Sequence, residues 1–108
     1  DLILQNSNKI ELTEHLFDKD ALIFPNVKSN YVILNEKKAG KHIRFTFGDS
    51  PFLAIWAKPA APFVCIEPWY GVNDSYEKAT DFSKKRGIQK LSSGKEFEFS
   101  WSAEFKED

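Results

Sequence analysis

Two hydrophobic patterns run along this chain, and both belong to β-strands. In EFEFSWSAEF, Phe97, Phe99, Trp101, Ala103 and Phe105 take every second place, with Glu98, Ser100, Ser102 and Glu104 between them. A period of two sets the first group on one side of a strand and leaves the other side to water. KHIRFTF repeats the alternation: Ile43, Phe45 and Phe47 face inward and His42, Arg44 and Thr46 outward, between Gly40 and the Gly48-Asp49-Ser50-Pro51 cluster. The second pattern is continuous. Tyr31 to Leu34, Phe52 to Ala57 and Phe63 to Ile66 are short apolar runs bounded by turn residues, which predicts strands covered on both faces.

The rest of the chain offers turns rather than helices. Leu12 to Phe17 suits a single helical turn with Thr13 as its N-cap, and Asp74 to Arg86 reads as a polar loop with a short helical turn around Tyr76 to Phe82. LSSGKE supplies Gly94 where a hairpin or bulge needs positive φ, with Lys90-Leu91 closing a strand before it. No repeat or low-complexity tract is present, and the strands are spaced too closely for helical crossovers. The prediction is an all-β antiparallel sandwich with little helix. About six strands, several of them wholly apolar, are more than 108 residues can easily cover with their own side chains. Residues 1–108 are therefore expected to be either a single domain that pairs with a second copy as a homodimer, or one part of a larger sandwich. The start at Asp1 and the absence of methionine fit the expectation of a chain taken from something longer.

Composition narrows the function classes. Apolar residues make up 42% and charged residues 29%, in the range of globular proteins. Fifteen basic against sixteen acidic residues leave a net charge of −1, which argues against nucleic acid or an anionic membrane as partner. The single cysteine, Cys65, lies in an apolar run and reads as a packing residue in a reducing, cytoplasmic setting. No apolar run approaches bilayer-spanning length.

The chemistry gathers in FVCIEPWYG, Phe63 to Gly71. Alternation places Phe63, Cys65 and Glu67 on one side of the strand, so a carboxylate shares a face with core residues. Pro68 holds Glu67 extended and withholds a ladder hydrogen bond, which predicts that pairing stops there and that Glu67 sits, half shielded, at a strand end. Partial burial raises a carboxyl pKa and makes the group a better base near neutrality. Trp69 and Tyr70 are suited to stack on the C–H face of a sugar and bond its hydroxyls, and Gly71 lets the backbone approach a ligand. From the pattern alone, an ion-paired glutamate at a strand end beside ordinary core aromatics is the reading to prefer.

IWAKPAAPFVCIEPWYGVND and the later GIQKLSSGKEFEFSWSAEF resemble the C-terminal portion of the galactose mutarotase (aldose 1-epimerase) superfamily, in particular its epimerase-like branch associated with bacterial lactose operons. DKDALIF and FPNVKSNYVIL resemble the upstream part of the same branch, so the resemblance covers essentially the whole chain. It implies part of a mutarotase-like supersandwich and interconversion of the α and β anomers of an aldose, without a cofactor. It also implies Glu67 as general base, Trp69 and Tyr70 as part of the sugar site, and Asp20 as a further sugar-binding candidate. The general acid, a histidine in that family, is not matched: His15 and His42 lie outside the family's histidine motifs and read as structural or solvated residues. The missing acid implies that the upstream half of the same polypeptide supplies it and that these residues alone are inactive.

The rival readings are a non-catalytic carbohydrate-binding β-sandwich, in which the same carboxylate only accepts hydrogen bonds, and a structural module that pairs through a sheet edge. Lys41, Arg44 and Lys58 read as solvated charges rather than a phosphate site, and no His, Cys and carboxylate group has metal-ligand spacing.

Overall fold

The computed structural model describes residues 8–38, 40–73 and 81–107. Six strands, β1 (Leu22–Pro25), β2 (Tyr31–Asn35), β3 (Lys41–Thr46), β4 (Phe52–Trp56), β5 (Cys65–Trp69) and β6 (Ser102–Glu107), form two antiparallel sheets ordered β1-β4-β5 and β2-β3-β6. The only helix among the described residues is a 3₁₀ turn at Phe82–Lys84. The protein is an all-β sandwich.

The chain changes sheet after β1, after β3 and after β5. The crossing after β1 is held where Asn26 N–H donates to the Pro51 carbonyl at 2.9 Å, and the one after β3 where Phe47 N–H donates to the Asn30 carbonyl at 2.9 Å. Trp69 pairs with Phe52, so the third crossing leaves from the same end of the sandwich. That end carries the candidate site.

Register explains how the sheets meet. Residues paired across antiparallel strands point to one side, so Leu53 with Pro68 and Ile55 with Ile66 line one face of β4 and β5, while Val32 with Phe45 line one face of β2 and β3. These faces meet in a core of Phe45, Phe47 and Leu53, against which Val27, Val32 and Ile66 pack. The inward set of β3 is as its alternation predicts.

Other expectations need correction. Coverage on both faces holds for β4, where Phe52, Leu53 and Ala54 are all buried, but not for β2, whose Ile33 is exposed beside Arg44. The run at Phe63 becomes a strand only from Cys65. The C-terminal strand spans Ser102–Glu107 and not the whole alternating stretch, because β3 ends at Thr46, the partner of Ser102, and leaves residues 97–101 no neighbour to pair with. No hairpin strand forms at Lys90-Leu91, although Gly94 does sit in a turn, with φ +79°. The Leu12–Phe17 segment forms turns closed by Leu16 N–H to Thr13 at 3.3 Å and Asp18 N–H to His15 at 3.2 Å. The helical turn expected around Tyr76 falls mainly outside the described residues.

Candidate functional site

Glu67 occupies the middle of β5 and not its end. Pairing continues past it through Pro68 to Leu53 and Trp69 to Phe52. Proline is tolerated because β5 is an edge strand, paired among the described residues with β4 alone, so its missing N–H need not break a ladder. The face assignment is also corrected: Ile66, not Glu67, points to the core. Glu67 lies on the outer face in register with Ala54, and Ala54 in turn with Ile23. Along this face Phe52 and Ala54 are nevertheless buried. The carboxylate is half-buried on an apolar surface and takes no ion pair among the described residues.

Trp69 follows two residues later on the same face, and Tyr70 closes the strand. The Tyr70 hydroxyl donates to Oδ1 of Asp49, in the crossing after β3, and so ties the two sheets together. That hydrogen bond, with some desolvation and the carboxylate's charge, pushes the phenol pKa up to about 12. Phe97 and Phe99 meet the Tyr70 ring edge-on, with centroids 5.1 and 5.4 Å away. Residues 97–99 thus keep their aromatic side facing the sandwich although they form no strand.

A cleft of about 530 Å³ opens where β5 ends, lined by residues 68–73 together with Lys85, Arg86 and Ile88. Glu67 does not line it. A second hollow, about 660 Å³, lies by Asp49, Phe97 and Phe99. The segment facing the first cleft is seated by Gly87: a Cβ there would stand 2.2 Å from the Tyr70 carbonyl oxygen.

The structure does not bring Asp20 to this group. Asp20 precedes β1 at the Leu22 end, which pairs with Ile55, whereas Trp69 and Tyr70 lie at the Phe52 end. Its Oδ1 accepts from Ala21 N–H at 2.7 Å, in a turn with φ +98°. His15 is exposed and bonded to Asp18 at 2.9 Å. His42 pairs with Asn35 and Lys106, on the face of β3 away from the core. Cys65 is a free, half-buried thiol in register with Trp56. Among the described residues no three His, Cys, Asp or Glu side chains gather as metal ligands, and no helix is long and apolar enough to cross a membrane. Asp49, Arg86 and Gly87 were not legible as site residues. Asp49 reads locally as turn punctuation, and Arg86-Gly87 as part of a polar loop.

No family model and no solved structure matches this chain. Among curated proteins, the plasmid and chromosomal versions of Protein LacX from Lactococcus lactis subsp. lactis are each 34% identical to it over 89 residues, covering 82% of this chain. The chain spans about 30% of the length of these relatives. Over most of its length, then, it is similar to the LacX proteins.

Proposed function

We propose that these residues are part of an aldose 1-epimerase-like isomerase in which Glu67 is the general base. The observation that carries the reading is the IEPW segment itself: a glutamate in the middle of a strand, half-buried on an apolar face and without an ion-pair partner among the described residues. A carboxylate so placed is held by a strand and still open on one side to a ligand hydroxyl.

Anomer interconversion needs two proton transfers and nothing else. Glu67 takes the proton of the anomeric hydroxyl while an acid protonates the ring oxygen; the ring opens, the C1–C2 bond turns, and closure on the other carbonyl face reverses both transfers. Trp69 offers an apolar wall to the sugar. Tyr70, which keeps its proton at neutral pH and commits it to Asp49, accepts from a sugar hydroxyl with its remaining lone pair. Asp20, at the other end of the sheet, is assigned its turn. The acid is supplied by the remainder of a longer polypeptide, which also covers the aromatic side chains left exposed at Trp101 and Phe105. The greater length of the LacX relatives supports this. A cytoplasmic setting fits the free thiol.

The test is Glu67→Gln in the full-length protein, with exchange between anomeric protons followed by NMR. The expected result is a loss of about 10²- to 10⁴-fold in exchange rate with sugar binding largely retained. Equal loss of both turns the reading into that of a carbohydrate-binding module, and no sugar binding by the unmodified protein leaves a structural module.

A further inference from the structure

We propose that the cleft at the end of β5 is an anion subsite, with Arg86 as its principal ligand, and that it takes the phosphate or carboxylate group of a charged aldose. This inference rests on the epimerase-like reading for its sugar but on separate residues for its anion.

Arg86 is held in place by three features. Ile88 N–H donates to the Lys85 carbonyl at 3.1 Å, closing a turn over Lys85–Ile88 with Gly87 third at φ +81°. That combination is the requirement of a type II turn, which admits glycine readily at its third place. Gly87 lies directly on the Tyr70–Gly71 backbone, where a Cβ would be 2.2 Å from Tyr70 O and 3.0 Å from Gly71 Cα, so the turn is clamped to the end of β5. The guanidinium then lies over the Phe52 ring, 4.9 Å from its centroid. The ring's quadrupole attracts the cation there, on an otherwise exposed side chain. Arg86 makes no ion pair with a described residue, so its charge is not neutralised there.

The location suits a charged sugar. Phe52 pairs with Trp69, and Ala54 pairs with Glu67, on one outer face. Arg86 therefore lies over the same outer face as Glu67, and the strand positions beneath them, Phe52 and Ala54, are one repeat apart, about 7 Å along the sheet. That is about the reach from the anomeric carbon of a hexose to a substituent on its exocyclic carbon. An oxyanion bound at Arg86 would lay the ring along Trp69 with its anomeric end toward Glu67 and keep the two negative groups apart. Arginine, with its planar fork, matches phosphate and carboxylate alike.

The test uses the full-length protein and four probes: glucose, glucose 6-phosphate, glucuronate and inorganic phosphate. Affinities are read by tryptophan fluorescence and anomer exchange by NMR. At least one charged sugar should bind about 10- to 100-fold more tightly than glucose, and in Arg86→Gln that ratio should fall to near one. Advantage for glucose 6-phosphate alone identifies a phosphate ester; advantage for glucuronate alone identifies a carboxylate. Arg86→Lys, which keeps the charge but loses the fork, should give an intermediate ratio and decides the matter where the glutamine variant does not fold. Equal affinity for neutral and charged sugars, or an unchanged ratio in both variants, overturns the subsite while leaving the epimerase reading standing. Arg86-dependent binding of a charged sugar or of phosphate without anomer exchange has the opposite outcome. If none of the four probes binds, both readings fall.

Discussion

Tyr70 holds its proton more tightly than an ordinary tyrosine because the hydroxyl is committed to Asp49. The folded pKa is raised, so the stability this bond contributes is fully present below pH 10 and is lost as pH rises toward about 12. Tyr70→Phe should lower stability at neutral pH by about 1 kcal/mol, the scale of a partly solvated hydrogen bond, measured as a reduced urea midpoint. The gap between the two proteins should then narrow in alkali, and ultraviolet titration should show one phenol ionising later than the rest. A constant gap through that range would separate the stability effect from the Asp49 bond. Residue-scale legibility was uneven here. A glutamate closing an apolar run and followed by Pro-Trp-Tyr announces itself, whereas Asp49 is 21 residues from Tyr70 and becomes its partner only when the two sheets meet.

Strands are legible where one chain segment contains its own reason for order. The alternation in β3 carried that information, and Phe45 and Phe47 are buried as it requires. Strand ends are set by neighbours and not by the segment itself: β6 begins at Ser102 because β3 stops at Thr46, and β5 runs through Pro68 because no described strand pairs with its other edge. Alternation also could not say which face of β5 meets the core, since Cys65 and Ile66 are equally apolar choices. The Lys85–Ile88 turn offers an element-scale test. Gly87 and Gly94 share nearly the same positive φ, +81° and +79°, but a Cβ at Gly94 meets nothing within 4 Å while one at Gly87 strikes the Tyr70 carbonyl. Gly94→Ala should therefore cost about 1 kcal/mol from backbone conformation alone. Gly87→Ala should cost that and more, because the turn must lift from β5. Equal urea midpoints for the two variants would mean that the turn is not clamped.

At the scale of the molecule, the core is small for the apolar content of the chain. Leu53 and Phe47 are its largest fully buried side chains, while Phe97, Phe99, Trp101 and Phe105 all remain exposed near one another in sequence. Phe105 pairs with Ile43 on the core-facing side of its sheet, yet it is 77% exposed, because the β1-β4-β5 sheet does not reach over it. Scattered exposed apolar residues are ordinary, but four exposed aromatics along one stretch, the last of them on the inner face of a sheet, are not. The proposed coverage by further parts of a longer polypeptide makes a quantitative demand. With Phe105 as exposed as it is here, Phe105→Ala would change stability by less than about 0.5 kcal/mol. Buried under further strands, the same truncation would cost about 3–5 kcal/mol through lost burial and a residual cavity. Chemical denaturation of the full-length protein and this one variant separates the two cases. On the proposed reading the larger value is expected, because Phe105 lies uncovered on the inner face of the β2-β3-β6 sheet, where further strands would pack.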